Sequence, residues 1–565
     1  MRAVRLAGLL PLAGPRRLVP FGLFGAGAAT LGPLGTVPLG RLVSHGGAAP
    51  LIALLLVLLA QELCTALRDP AGTAAARRID GVLRGRVRAA AAAMPMLRLE
   101  SPQVQADMRL ALHGYRGGTP GSAAVAAAGE AGRLASAVLG AVILAVHVWW
   151  LAAAALALSL VQNRRITAML VGPGGAEFLA DSPGQVLLRR RADYLAEVAG
   201  GPAAAKELRV FALQSFFVGR YAAAMREFLA LEVRGRRAVV RGYGGVLAVQ
   251  LVAAAGTFAT LAWQAGTGGL DPGALAQCVL ASLLVFAYGA GSYQMFEMVH
   301  GAEPYEAVLR LLAVVPASPA RAAGDGVISL NRVTFAYPGA AAPLIRDLDL
   351  EVRPGERLAV VGLNGAGKTT LVKLLTGLYT PHRGTVAPAP GAAVVFQDFT
   401  RYPLSLRDNI RLGDPAHHGT DADVLAALES VDALDLLHGL PDGLDTPLSR
   451  AFTGGRDLSG GQWQKVALAR ATYALDAGRR VLVVDEPTAH LDARAEREVF
   501  ERLLDRTRGR TLVLVSHRFA TVRRADRIAV LDGGAVAEQG THADLMAASG
   551  RYARWYRLQA DLATR

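Results

Sequence analysis

The run from Ala131 to Val161 is the strongest constraint on how this chain folds. An α-helix rises 1.5 Å per residue and a bilayer core is ~30 Å thick, so about 20 apolar residues cross it once. The run is much longer than one crossing needs. His147, Trp149 and Trp150 stand near its middle, and tryptophan favours the membrane–water interface. The pattern predicts a tight helical hairpin with its turn at a membrane surface.

Three more apolar stretches have span length: Pro50–Leu67, about Gly244–Ala265 and about Ala274–Val299. A weaker one, Phe21–Val43, is interrupted by Gly and Pro. Together they give about six spans. Composition agrees, with 52% hydrophobic and 19% charged residues and a mean hydropathy of +0.31. Arg68, Arg77, Arg78, Arg84, Arg86 and Arg88 follow the second span, and Arg164, Arg165, Arg189, Arg190 and Arg191 follow the fourth. The loops near Ser44–Ala48 and Gly266–Gly273 carry almost no positive charge. By the positive-inside rule both basic loops, the N-terminus and everything after residue 300 lie in the cytoplasm. The basic loops are long and rich in Ala, Leu and Arg, which favours helical extensions of the spans. Separate small domains are the other reading.

Several features carry less. Glu62 and Glu297 lie toward the inner ends of their spans, where a carboxylate reaches the interface, and neither is read as a ligand. Cys64 and Cys278 sit in apolar runs with no second Cys or His at ligand spacing, which suits buried hydrophobes. The net charge of +14 is nearly all arginine, since lysine occurs only at 206, 368, 373 and 465. No basic stripe interleaves with aromatics, so nucleic acid is not expected as a partner. The N-terminal MRAVRLAGLLPLAGPRR lacks the clean order of a cleaved signal peptide.

After about Gly324 the apolar runs shorten, and Pro316, Pro319 and Gly324 mark a linker. The expected division is a membrane domain over 1–315, a linker over 316–325 and a soluble domain over 326–565. In RLAVVGLNGAGKTTLVKLL, Arg357–Val361 reads as a strand, Gly362–Gly367 as a glycine-rich loop and Lys368 onward as a helix. That is the phosphate-loop pattern in its proper context. Backbone N–H groups of Gly362, Asn364, Gly365, Ala366 and Gly367 curl around phosphate oxygens, and the helix start at Lys368, Thr369 and Thr370 adds positive potential. Lys368 reaches the β- and γ-phosphates, and the Thr369 hydroxyl ligates Mg²⁺. The apolar strand Val481–Val484 ends in Asp485, a candidate Mg²⁺ ligand, and Glu486, a candidate general base. Both acids stand at the carboxyl end of a strand, where open α/β sheets place ligands. Thr511–Val515 reads as a third strand followed by Ser516 and His517, whose imidazole would face the γ-phosphate.

Asp457-Leu458-Ser459-Gly460-Gly461-Gln462 resembles the signature sequence of ABC ATPases. With Tyr337, Gln397, Asp492 and His517 it completes that family's order of motifs over about residues 326–560. The N-terminal half resembles the exporter-type membrane domain more loosely, including the stretch AAKELRVFAL. The implied fold is a membrane all-α six-helix domain followed by a soluble α/β P-loop ABC ATPase domain with an α-helical signature subdomain. The resemblance implies ATP and Mg²⁺ as cofactors and a second half-transporter, the same chain or a sister, as partner. Tyr337 would stack on adenine. Gln397 would sense the γ-phosphate, help hold the metal and touch the membrane domain's coupling helices. Ser459, Gly460, Gly461 and Gln462 would contact the nucleotide of the opposite subunit, and Asp492 would report across the interface. Two departures from the pattern, Ala489-His490 before Leu491 and the missing glutamate in Ser449–Arg456, bear on coupling. The expected function is ATP-driven export of a peptide, lipid or drug-like molecule across the cytoplasmic membrane by alternating access. An importer on the same fold is the alternative. The apolar half argues against a soluble ABC ATPase of translation or repair.

Overall fold

The structure is a computed structural model that describes residues 2–114, 117–171, 183–202, 204–314, 327–389, 391–486, 501–516 and 522–563. It divides into two units, Met1–Met94 with Arg98–Ala317 and Pro95–Leu97 with Ser318–Arg565.

The first unit is helical: α1 (Arg2–Ala7), α2 (Pro15–His45), α3 (Ala48–Ala93), α5 (Pro102–His113), α6 (Pro120–Val171), α7 (Pro183–Gly200), α8 (Ala205–Val210), α9 (Gln214–Gly266), α10 (Pro272–Gly289) and α11 (Tyr293–Ala313), while the one-turn α4 (Met96–Leu99) falls on the division. Five stretches are long and apolar enough to cross a membrane, namely Pro15–His45, Ala48–Ala93, Pro120–Leu170, Gln214–Gly266 and Pro272–Ala313. The first helix runs through Pro20, Pro33 and Pro38 without a break. Leu51, Leu55, Leu59 and Leu63 of α3 are exposed, the surface expected where hydrocarbon rather than water is the solvent. Both α3 and α9 are more than twice the length a crossing needs. Away from the apolar windows, Leu6, Leu9, Ile79, Leu83, Val308 and Leu311 form a buried core. Asp107 of α5 and Arg310 of α11 close this region with a paired contact, 2.7 and 3.1 Å.

Helix α6 turns back on itself. Val148 has non-helical angles, φ −142° and ψ 79°. Arg133 reaches the carbonyls of Ala287 and Gly291, and Asn163 reaches that of Tyr288. In a straight helix residues 133 and 163 would stand ~45 Å apart, so the chain reverses between them. Ala141 and Ala155, equidistant from Val148, share one buried cluster. The hairpin expected at His147–Trp150 is present, so the five apolar stretches hold six segments of crossing length.

The stretch read as one span over Ala274–Val299 is broken. Helix α10 stops at Gly289, and α11 begins at Tyr293, capped by the Ser292 hydroxyl. Gly291 at φ +77° ends the helical path, a conformation that costs a glycine little. A freed backbone carbonyl at membrane depth needs a partner. Gln250 and Tyr243 of α9 donate to Phe286 and Ala290 at 2.5 and 2.6 Å. Arg133 and Asn163 of α6 supply the others.

The second unit carries two sheets. Strands β1 (Ile328–Phe335), β2 (Ile345–Val352) and β4 (Arg383–Ala387) form an antiparallel sheet in the order β2-β1-β4. The larger sheet runs β5-β6-β7-β3-β8-β9, built from β3 (Arg357–Gly362), β5 (Ala393–Val395), β6 (Val481–Asp485), β7 (Thr511–Val515), β8 (Arg527–Asp532) and β9 (Ala535–Gly540). All are parallel except β9. Strands β6 and β7 are buried at every position, as a sheet covered on both faces requires. Helix α12 (Lys368–Leu375) follows β3, and α13 (Leu406–Arg411), α14 (Asp421–Ser430) and α15 (Gly460–Asp476) form a helical portion around buried Trp463 and Tyr473. Helices α16 (His542–Ala547) and α17 (Arg551–Ala563) end the unit.

Candidate nucleotide site

Because β3, β5, β6 and β7 are parallel, their carboxyl ends lie at one edge of the sheet, where such folds place ligands. A cavity of about 410 Å³ opens there, lined by Asn364, Gly365, Gly367, Lys368, Thr369, Thr370, Gln397, Glu486 and Leu344. Residues far apart in sequence thus meet: the loop after β3, Gln397 after β5 and Glu486 after β6.

Glycine is required at two points. A Cβ on Gly362 would stand 2.5 Å from the Leu531 carbonyl oxygen. Gly367 sits at φ +99°, and a Cβ there would meet Ile345 Cδ1 at 2.9 Å. The loop therefore hugs β2 and β8, and the Ala366 N–H, expected on phosphate, donates to the Leu363 carbonyl at 3.1 Å instead. Lys368 is buried to 7% exposure, and its Nζ donates to the Gly362 and Leu363 carbonyls at 3.0 and 3.2 Å. Those bonds hold the ammonium at the cavity floor.

Asp485 is 1% exposed, and neither carboxylate oxygen has a hydrogen-bond partner among the described residues. Burial pushes its carboxyl above the ordinary range; the Thr369 hydroxyl and Lys368 oppose this, while Glu486 and Asp398 add to it. A buried acid left this way suits a cation. Thr369, Gln397 and Asp485 offer only oxygen donors, the set Mg²⁺ takes. Glu486 has a left-handed backbone, φ 48°, rare for a non-glycine residue and a cost of order 1–3 kcal/mol. Its N–H donates to Val515 O at 3.0 Å, which fixes the turn and sends the side chain into the cavity.

Other sequence candidates fall elsewhere. Gly362 and Ala366 are not among the lining residues; Ala366 packs on the core. The Tyr337 hydroxyl bonds Thr370 Oγ1 at 2.9 Å, and its ring meets Phe335 and Tyr379 edge-on. Tyr337 is half-buried beside the loop helix and does not line the cavity. Ser459 caps α15 in a reciprocal box with Gln462. Ser459, Gly460, Gly461 and Gln462 are absent from the cavity lining, and Ser459 and Gln462 are exposed. His517 and Asp492 lie outside the described residues. Leu344, an apolar wall of the cavity, had no local pattern to mark it.

Comparison with known proteins fits this geometry. Residues 345–489 match the family model described as ABC transporter. This segment is an ABC transporter ATPase domain. The chain is 38% identical over 247 residues to an ATP-dependent lipid A-core flippase of Alkalilimnicola ehrlichii, covering 41% of each chain. It is 39% identical over 248 residues to the cyclolysin secretion/processing ATP-binding protein CyaB of Bordetella pertussis, covering 42% of this chain and 34% of the relative. The matches thus span about two-fifths or less of those relatives' own length. A solved bacterial Atm1-family ABC exporter with ATP bound superposes with a TM-score of 0.75 over 96% of this chain and 98% of its own, at 23% identity. The chain therefore has the architecture of an exporter-type ABC half-transporter, a helical membrane-type domain followed by an ABC ATPase domain.

Proposed function

We propose that the chain is a subunit of an ATP-driven exporter in the cytoplasmic membrane, working as a pair of half-transporters with the ATPase domain in the cytoplasm. The observation that carries this reading is the convergence of Lys368, Thr369, Gln397 and Glu486 on one cavity, in a chain with five helical stretches long and apolar enough to cross a membrane. In this reading the Lys368 ammonium and the loop N–H groups bind the β- and γ-phosphates. Thr369, Gln397 and Asp485 would hold Mg²⁺, which when bound neutralises phosphate charge. Glu486 orients and polarises the attacking water as general base, and His517 would contact the γ-phosphate.

The exposed cap at Ser459 has no role in its own chain's cavity. We assign it, with Gly460, Gly461 and Gln462, to the nucleotide of the partner subunit. Since this chain carries both halves of the site, a second copy suffices as partner. Closing two such interfaces on ATP would favour an outward-open arrangement of the membrane helices, and hydrolysis would release it. Export is favoured over import because both named relatives and the solved neighbour are a flippase, a secretion protein and an exporter. The test is ATP turnover by the full chain in nanodiscs, wild type beside Glu486→Gln. Magnesium-dependent turnover lost in the variant supports the reading; equal turnover in both overturns the role of Glu486.

A further inference from the structure

Within the helical unit, a second cavity of about 260 Å³ lies among α2, α3, α6 and α11. Phe21, Arg68, Asp69, Tyr293, Gln294 and Glu297 are among its lining residues. Two glycines shape it. A Cβ on Gly72 would press on Val125 at 3.0 Å and the Phe21 ring at 3.3 Å, and one on Gly129 would press on Gln294 at 3.3 Å.

The charges in this cavity do not balance. Arg68 donates from both Nε and Nη2 to Asp69 Oδ1, at 3.1 and 3.0 Å, so the two neighbours satisfy each other. Glu297 is half-buried and has no hydrogen bond or ion pair among the described residues. It lies at the inner end of the last apolar stretch, half-buried among helices and beside the first residues of the basic loop, Arg68 and Asp69. The sequence places Glu297 toward the inner end of its span, and its side chain lines this cavity beside Arg68 and Asp69. The break before Tyr293 sets this placement, since α11 starts anew at Ser292 and carries Tyr293 and Glu297 on successive turns.

We infer that this cavity binds an organic ammonium ion carrying a small apolar group, with Glu297 as counter-ion and Phe21 and Tyr293 as aromatic walls. A carboxylate balances the charge, and aromatic faces attract an ammonium within ~6 Å. The volume lies just below the ~300–1,000 Å³ of drug-sized sites, which suits an ammonium with one ring. An anion has no free partner here, because Arg68 is engaged by Asp69. The role of the site as a substrate or regulatory pocket rests on the export reading; the binding itself does not.

The test is equilibrium binding of benzyltrimethylammonium to the nucleotide-free full chain in phosphatidylglycerol nanodiscs, with benzoate as the anionic control. The cation is expected to bind, and Glu297→Gln, nearly identical in shape, to weaken it at least tenfold with an unchanged melting temperature. Arg68→Gln frees Asp69 and is expected to tighten binding. Equal affinity in wild type and Glu297→Gln, or benzoate binding that depends on Arg68, overturns the proposal. Repeating the measurement with phosphatidylethanolamine in the disc separates the sources of the ammonium: competition assigns the ligand to a lipid headgroup, and none assigns it to a free solute. Because no ATP is present, failure of turnover would leave this result standing.

Discussion

Arg133 of α6 donates from Nη2 to the carbonyl of Ala287, 2.5 Å away in the last turn of α10. The same guanidinium pairs with Glu130 at 3.0 Å and reaches the Gly291 carbonyl at 3.2 Å. A cation at a helix C-terminus meets the negative end of its dipole, so Arg133 holds open a break that hydrocarbon would otherwise close. Replacing it by leucine leaves two carbonyls and Glu130 without this partner. Hydrogen bonds to charged groups are worth about 1.5–3 kcal/mol each. Arg133→Leu is expected to lower the melting temperature of the full chain in detergent by several degrees, while Arg133→Lys loses less.

The phosphate loop separates two kinds of glycine. Gly365 at φ +82° has no protein atom within 4 Å of a Cβ built on it, so Gly365→Ala adds the left-handed backbone penalty, about 1–2 kcal/mol, and a methyl group at the cavity wall but no clash within the chain. Gly367→Ala adds a clash with Ile345 to that penalty. Nucleotide affinity, read by fluorescent ATP binding, should fall modestly in the first variant and be lost in the second.

Asp485 gives a prediction in which stability and function move oppositely. Its folded-state carboxyl is raised, chiefly by burial, so the ionised form costs the folded state stability at neutral pH. The sign follows from linkage: that cost is fully present above the raised folded-state value and is lost as pH falls below it toward the ordinary carboxylate range. Asp485→Asn should raise the melting temperature of the nucleotide-free chain at pH 7, with the gain shrinking at lower pH. The same variant should lose magnesium-dependent turnover.

At the other end of the chain, Arg310→Ala removes the cation paired with Asp107, whose side chain is 6% exposed against 47% for Arg310. Breaking a fully buried pair costs ~3–5 kcal/mol. The half-exposed arginine lowers this to about 2 kcal/mol, readable as a shift in the denaturation midpoint. Asp107→Asn with Arg310 intact should cost less, because the exposed guanidinium can turn to water.

How far these features could be read in advance depended on whether their signal was local. The hairpin at Val148 was legible because length and the Trp149–Trp150 pair lie within one run. Lys368, Thr369, Asp485 and Glu486 were legible because each stands at a strand end beside its own loop. The break at Gly289–Ser292 was not: glycines in an apolar run are common, and the groups that cap it, Arg133, Asn163, Tyr243 and Gln250, come from helices more than 35 residues away. The facing of Glu297 was hidden for a related reason, since it depends on the rotation of α11 after that break. Tyr337 shows the limit of motif order: its position was evident, but its bond to Thr370 follows from how β1 packs beside α12.

The most direct test of the central claim mixes two inactive subunits. Lys368→Ala disables the phosphate loop and Ser459→Arg disables the exposed cap, and each homodimer should be silent in ATP turnover. A co-expressed pair, purified through two tags, contains one site with both defects and one with neither. The account predicts recovered, magnesium-dependent turnover in the mixed pair. Silence in the mixed pair, beside an active wild type, would contradict the claim that Ser459 of one chain completes the cavity of another.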